Sequence, residues 1–372
     1  MKKVLLAGGG TGGHIYPALA IREILREHLP GAVETAYMGQ PDGMEAAIVR
    51  READLPFLPV RAQGLPRTLS TRWLTFPWRN AQGLWDAVTH TRAYRPDLVI
   101  ATGGFVAFPA LLAARLLGIP YAIHEQNAAI GVTNRLFAGA AARVLLTYRE
   151  AYAGEPPRVV VTGNPVRRAF LVPAAGPGRF RRAPGEFWVL IVGGSRGARS
   201  LNEAAVGLPA AWWQAHPTIR LLHITGERDY ADIEQRVSRP DRHQVLPYLH
   251  EMREAFDLAD LVVSRAGATI LAELAVCGKP AILVPYPHAT DNHQEKNART
   301  LAERGAARLV LDRELSPDLL GAAIVEAMTS GDLPAMGRAM AASRPPDVER
   351  LIWEALQPLL ADASTVAGQA SR

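Results

Sequence analysis

Lys3-Val4-Leu5-Leu6-Ala7 runs directly into Gly8-Gly9-Gly10-Thr11-Gly12-Gly13-His14 and then into Tyr16-Pro17-Ala18-Leu19-Ala20. A short apolar run closed by glycine reads as a strand end, and residues 16–20 read as the start of a helix. Five glycines in six positions let the backbone reach positive φ and bring main-chain N–H groups close to a ligand, so the loop expects an anion, in particular a diphosphate. A strand-to-helix turn without a ligand needs far fewer glycines.

The same pattern recurs where Phe187-Trp188-Val189-Leu190-Ile191-Val192 leads into Gly193-Gly194-Ser195-Arg196-Gly197-Ala198. Between the two loops, Leu98-Val99-Ile100-Ala101 enters Thr102-Gly103-Gly104, and Tyr121-Ala122-Ile123-His124 enters Glu125-Gln126-Asn127. After the second loop come apolar runs at 220–226, 261–265 and 280–285. Short apolar runs alternating with helical stretches predict an α/β chain with two parallel sheets. The breaker-rich stretch Pro173 to Gly185 puts the seam near Asn164, giving one domain over 1–163 and a second over 164–340. Pro345-Pro346 stops a helix, Asp347 is placed to cap a terminal helix within 341–361, and 362–372 reads as a flexible tail.

The chain of 372 residues, 48% hydrophobic and 21% charged, is long enough for two cores and lacks low-complexity composition. Its one cysteine, Cys277, reads as core, excludes an internal disulfide framework and favours a reducing compartment. The apolar start stops at the glycines, too short for a signal peptide, and Val106 to Ile123 is broken by Pro109, Arg115 and Pro120, so no membrane span is expected. Net charge is +5, and lysine occurs only at Lys2, Lys3, Lys279 and Lys296. Arginine excess suits phosphate ligands and anionic membrane surfaces. No basic helix, zinc spacing or aromatic RNA-binding signature supports a nucleic-acid partner.

Gly8, Gly10 and Gly13 satisfy a dinucleotide fingerprint, yet the second strand, Glu34 to Gln40, ends without the acidic residue that would hold a ribose, and no Lys-Ser or Lys-Thr completes a P-loop. In Ser264-Arg265-Ala266-Gly267-Ala268-Thr269-Ile270-Leu271-Ala272-Glu273, a glycine turn opens an apolar helix that carries one carboxylate. Glu273 can accept both hydroxyls of a ribose, or it is a solvated surface glutamate. Pro285 to Ala298 is a polar loop entering a helix and can read sugar hydroxyls and an acetamido group. His288 and His293 lack the partners of a zinc site and no Asp-x-Asp occurs, so no metal and no cofactor are expected.

Gly9-Gly10-Thr11-Gly12-Gly13-His14, His124-Glu125-Gln126-Asn127, Gly163-Asn164-Pro165-Val166-Arg167, Gly193 to Arg199 and the Glu273 helix occur in this order, and with them nearly the whole chain resembles the MurG family of peptidoglycan glycosyltransferases. That resemblance implies a GT-B fold, two Rossmann-like parallel-sheet domains facing a cleft, with the last helix crossing back to the first domain. It implies transfer of N-acetylglucosamine from UDP-N-acetylglucosamine to lipid I (undecaprenyl-pyrophosphoryl-N-acetylmuramoyl-pentapeptide) at the cytoplasmic face of the inner membrane, with a cell-wall synthesis complex as a possible partner. Ser195 and Arg167 would take the donor diphosphate, Glu273 the ribose, Ala268 and Thr269 the nucleotide, and His293, Gln294 and Asn127 the sugar. Gly10, Thr11, Gly12, Gly13, Gly103 and Gly104 would face the acceptor diphosphate, with Thr11 to Gly13 also near the donor and His14 beside the attacking hydroxyl as base. Alternatives stay open: His14 as a phosphate-orienting residue, Arg167 in a hinge salt bridge, Asn127 as a helix cap. The family commonly has tyrosine where this chain has Phe105, so a phenolic hydroxyl is not required there.

Arg72-Trp73-Leu74-Thr75-Phe76-Pro77-Trp78-Arg79 brackets aromatic and aliphatic side chains with arginines, a patch suited to an anionic interface or to packing on its own domain, with proline limiting regular helix. Other readings are a UDP-N-acetylglucosamine 2-epimerase or lipid galactosyltransferase on the same fold, a nucleotide-binding redox enzyme, and a non-catalytic UDP-sugar sensor.

Overall fold

The computed structural model describes residues 1–64, 72–172, 178–194, 197–289 and 292–361, without the side chains of Glu52, Arg72, Trp73 and Leu74. Two compact units emerge, Met1–Arg167 with Pro346–Arg372, and Arg168–Pro345. The first break falls after Arg167 rather than after residue 163, because the Arg167 guanidinium lies 4.3 Å over the ring of Tyr16 in the first unit. The second falls at 345/346, since the helix Leu333–Ala342 still belongs to the second unit. The expected tail lies outside the described residues.

The first unit contains β1 (Lys2–Gly8), β2 (Val33–Gly39), β3 (Phe57–Pro59), β4 (Leu98–Gly103), β5 (Tyr121–Glu125), β6 (Arg143–Leu146) and β7 (Val159–Val161). They form a parallel sheet in the order β3-β2-β1-β4-β5-β6-β7. Side chains alternate across it: Leu5 and Ala7 enter one buried cluster, Val4 and Leu6 the other. Burial on both faces is why these strands read as continuous apolar runs. The C-terminal helix Val348–Leu360 inserts Val348, Ile352, Ala355, Leu356 and Leu360 into the second of these clusters, against Ile15, Ala18 and Leu19. Trp353 stacks on His28 at 4.8 Å. Asp347 precedes that helix but its side chain makes no cap; it meets Arg350 at 3.3 Å, and positive φ at Asp347 aims it there.

The second unit repeats the plan with β8 (Phe187–Val192), β9 (Ile219–Ile224), β10 (His243–Leu246), β11 (Leu261–Ser264), β12 (Ala281–Leu283) and β13 (Ala307–Leu309). Its parallel order is β10-β9-β8-β11-β12-β13. In each unit the strand order reverses direction once, between β1 and β4 and between β8 and β11. Open parallel sheets bind ligands outside the carboxyl ends of the strands at that reversal. The chain leaves β1 and β4 through residues 9–11 and 104–106, and it leaves β8 and β11 through residues 193–194 and 265–267.

Three expectations need correction. The helix after the first loop starts at Gly12, not near Tyr16, and runs to His28 through Pro17, its sixth residue, which has no N–H to give the Gly13 carbonyl one turn back. The arginine-bracketed segment is likewise helical, Arg72–Tyr94, with Pro77 near its start. Cys277 is half-buried at the end of its helix rather than deep in the core, and burial pushes its thiol up to about 11.

Candidate active site

Glycines in the first loop divide their work between packing and ligand access. A Cβ at Gly8 would collide with Thr102 Oγ1, and one at Gly9 would lie 2.7 Å from Glu45 Cδ. Gly10 has φ +81° and its N–H donates to Glu45 Oε2 at 3.2 Å. Gly10 thus shapes the loop and gives its N–H to a side chain of the same unit. Thr11, Gly12 and Gly13 form the N-terminus of the 17-residue helix, where the first N–H groups lack intrahelical acceptors and the helix dipole favours an anion. Phe105 packs against this loop, its ring 3.2 Å from a Cβ position on Gly10.

His14 follows at once. Gly103 and Gly104, both at positive φ, flank its ring, with Cβ positions 3.1 and 3.3 Å from ring atoms. Its Nδ1 lies 2.9 Å from the Thr102 carbonyl and 3.2 Å from Gln126 Oε1. Main-chain carbonyls assign every proton here. The carbonyl of His124 accepts from Gln126 at 2.9 Å, so that atom is Nε2 and the amide oxygen faces His14. His14 Nδ1 therefore carries hydrogen, and Nε2 is the basic nitrogen. His124 Nε2 donates to the Gly163 carbonyl at 3.0 Å while its Nδ1 accepts from Gln126 at 3.0 Å. Burial pushes the His124 pKa down, partly opposed by the bond to Gly163, so this ring stays neutral.

Glu125, 1% exposed, organises the neighbouring turn. Its Oε1 accepts from Asn127 N and Asn127 Nδ2, each at 3.1 Å, and its Oε2 from Gly131 N at 2.9 Å and Asn134 Nδ2 at 2.8 Å. Asn127 is thus no helix cap: Gly131 starts the next helix, and the Asn127 amide turns its nitrogen to Glu125.

In the second unit Ser195 lies outside the described residues. Around it, Gly194 and Gly197 take φ +85° and +72°, and Gly197 abuts the Thr225 carbonyl too closely for any side chain. Behind this loop Asn202 donates to Thr225 O at 3.0 Å and to Asp229 Oδ2 at 3.1 Å, so its Oδ1 accepts from His223 Nε2 at 2.9 Å. His223 Nδ1 must then accept from His243 Nε2 at 3.1 Å. At the β11 end, Arg265 is 8% exposed. It donates to Asp312 Oδ1 at 2.5 Å, Ser200 Oγ at 2.9 Å and the Val284 carbonyl at 3.1 Å, tying together the ends of four strands.

The helix Ala268–Cys277 opens from Gly267 and carries Glu273, 7% exposed, on its second turn. Thr269 Oγ1 is buried there with no hydrogen-bond partner among the described residues. Gln294 Oε1 accepts from Ala266 N at 3.2 Å and Tyr286 N at 3.0 Å, and Asn297 donates to the Ala266 carbonyl at 3.2 Å. These bonds bring the Gln294 and His293 end of one helix beside the Ala268 and Thr269 end of the other. His293 is the first residue of the helix His293–Glu303. Among the described residues no three His, Cys, Asp or Glu side chains gather as a metal group.

Sequence reasoning passed over Gln126, Glu125, Glu45 and the Arg265–Asp312 pair. The first two sat inside a quoted block, and only their burial reveals that they orient neighbours. Glu45 and Asp312 had no local signal.

Residues 4–146 match the glycosyltransferase family 28 N-terminal domain and residues 188–352 its C-terminal domain. A protein of Desulforudis audaxviator (strain MP104C) named UDP-N-acetylglucosamine--N-acetylmuramyl-(pentapeptide) pyrophosphoryl-undecaprenol N-acetylglucosamine transferase is 45% identical, covering 87% of this chain and 88% of its own. One of the same name from Moorella thermoacetica (strain ATCC 39073) is 42% identical, covering 94% and 97%. The crystal structure of Acinetobacter baumannii MurG superposes with TM-score 0.72 at 29% identity, covering 96% of this chain and all of that one. Two parallel-sheet α/β units, both family 28 domains and this degree of identity along nearly the whole length establish a GT-B glycosyltransferase, and the chain belongs to the MurG family.

Proposed function

We propose that this chain is an inverting glycosyltransferase that moves N-acetylglucosamine from UDP-N-acetylglucosamine to the muramoyl 4-hydroxyl of lipid I, forming lipid II for peptidoglycan. The observation that carries this reading is the 45% identity to a relative named for that transfer. The tautomer of His14 supports the chemistry.

His14 Nε2 takes the proton of the 4-hydroxyl as that oxygen attacks the anomeric carbon of the α-linked donor. The bond from this carbon to the diphosphate oxygen breaks, its electron pair leaves with UDP, and the new link is β. Once protonated, the imidazolium keeps its Nδ1–H on the Thr102 carbonyl and the Gln126 oxygen, bonds that strengthen with its charge. Thr11, Gly12 and Gly13 hold the acceptor diphosphate at the helix N-terminus, with Gly103 and Gly104 giving it room. On the donor side Glu273 takes the ribose hydroxyls, Ala268 and the unpartnered Thr269 hydroxyl face the nucleotide, and His293, Gln294 and Asn127 read the sugar. Ser195 and Arg167 serve the donor diphosphate, Arg167 held by its stacking on Tyr16.

Lipid I brings the enzyme to an anionic membrane surface, and no helix among the described residues is long and apolar enough to cross one. Trp78 and Trp85, 68% and 73% exposed, lie two turns apart on one helix, with Leu116, Val132 and Leu136 exposed on helices that pack in sequence beside it. Arg79, Arg115 and Arg135 are exposed among them. Such a surface suits peripheral attachment, apolar side chains entering the interface and arginines meeting lipid phosphates.

The test is UDP release from UDP-N-acetylglucosamine with and without a soluble lipid I analogue, in EDTA, with the product identified by mass. Acceptor-dependent release with a disaccharide product is expected. Release without acceptor would favour an epimerase or hydrolase instead.

A further inference from the structure

Glu45, the second residue of the helix Met44–Glu52, has no exposed surface. Its Oε2 accepts from Gly10 N at 3.2 Å and its Oε1 from Gln40 N at 3.0 Å. Glycines from three separate segments cut the space for it: a Cβ would lie 2.7 Å from its Cδ on Gly9, 2.6 Å from its Cγ on Gly39, and 2.6 Å from its Oε1 on Gly43. The carboxylate also sits in the first turn of its own helix, where the dipole favours negative charge.

Burying a carboxylate is costly, and an apolar side chain would fill the same room at lower cost. What the carboxylate adds is two charge-assisted hydrogen bonds, each about twice as strong as a neutral one, to the backbone of the first glycine loop and of the β2 end. Gly10 is the hinge of that loop. With Gly9 N bonded to the Gly103 carbonyl at 3.3 Å and Gly10 N to Glu45, the path into Thr11-Gly12-Gly13-His14 is held at two successive residues.

We propose that Glu45 is a positioning residue for the transfer: by holding the Gly10 N–H it aims the helix N-terminus at the acceptor diphosphate and His14 at the acceptor hydroxyl. Its charge has a second consequence. A phosphate is repelled from the Gly9–Gly10 side of the loop and kept on the Thr11–Gly13 side, which carries His14. This role rests on the acceptor-side reading of the loop given above.

Steady-state kinetics of Glu45→Gln with a soluble lipid I analogue tests it. The amide presents an N–H to one of two backbone N–H groups, so one bond must break. Expected is a fall of about tenfold or more in kcat/KM for the acceptor, while donor KM and UDP Kd stay within about twofold. Gly9→Ala crowds the same carboxylate from the other side and is expected to give the same acceptor-selective loss. Wild-type acceptor kinetics in Glu45→Gln would overturn the proposal. So would a matched loss of donor and acceptor constants with a lowered Tm, the mark of a residue that only supports folding. His14→Ala run alongside separates the failures. If it loses turnover while Glu45→Gln is unaffected, the positioning role alone fails; if it keeps turnover, the acceptor-side reading fails and the role with it.

Discussion

His14 Nδ1 lies 2.9 Å from the main-chain oxygen of Thr102, a residue 88 positions further along the chain. The two meet because β1 and β4 are neighbours at the point where strand order reverses, so the loops leaving them face each other. A carbonyl can only accept, and this contact therefore leaves the basic lone pair of His14 on Nε2.

Selective ¹⁵N-histidine NMR should find His14 protonated at Nδ1 and pyridine-like at Nε2 in the neutral ring. Gln126→Leu removes the weaker of the two Nδ1 partners and leaves Thr102 in place, so we expect turnover to fall about tenfold with the tautomer retained. A protonated Nε2 in the wild-type enzyme would rule His14 out as the base.

Glu273 is the one carboxylate on the apolar helix Ala268–Cys277. Glu273→Ala should weaken UDP binding at least about tenfold by calorimetry, because two charge-assisted hydrogen bonds to a ribose are lost together. An unchanged Kd would take Glu273 out of the nucleotide site.

The buried pair His223 and His243 makes stability pH-dependent. Burial lowers His223 well below its ordinary value, the charge of His243 adding to this, and burial lowers His243 to about 4 from 6.5. Unfolding restores the ordinary value, so between about 4 and 6.5 the unfolded chain binds more protons. Stability is then full above pH 6.5 and falls as pH drops through that window, by about 1.4 kcal/mol per pH unit for each histidine. Urea unfolding at pH 7.5, 6 and 5 should reveal this slope, and His243→Gln should flatten it. Equal slopes in the two proteins would clear the pair of responsibility.

Trp78 and Trp85 should govern membrane attachment. Replacing both with serine is expected to lower binding to vesicles rich in anionic lipid about tenfold or more without changing turnover on a soluble acceptor. Raised salt should weaken wild-type binding through the arginines. Vesicle binding that ignores both changes would move the attachment site elsewhere.

The central strands of both sheets were legible because a parallel strand covered on two faces must be apolar throughout, as Val4 to Ala7 and Val189 to Val192 are. Short strands such as Phe57–Pro59, Val159–Val161 and Ala307–Leu309 were not, since three residues carry no period to read. Glycine loops stood out by composition, but their meaning did not: Gly9 makes room for Glu45, and Gly10 gives its N–H away.

By itself, then, the sequence determined two parallel α/β units, their motif order and the residue types a sugar nucleotide needs, because glycine, apolar runs and carboxylates act locally on backbone freedom, burial and charge. Only the tertiary structure decided which nitrogen of His14 is basic, that the Asn127 amide nitrogen faces Glu125, and that Glu45 and Arg265 hold the loops. Those outcomes depend on hydrogen bonds between residues far apart in the chain, whose partners exist only once the strands lie side by side.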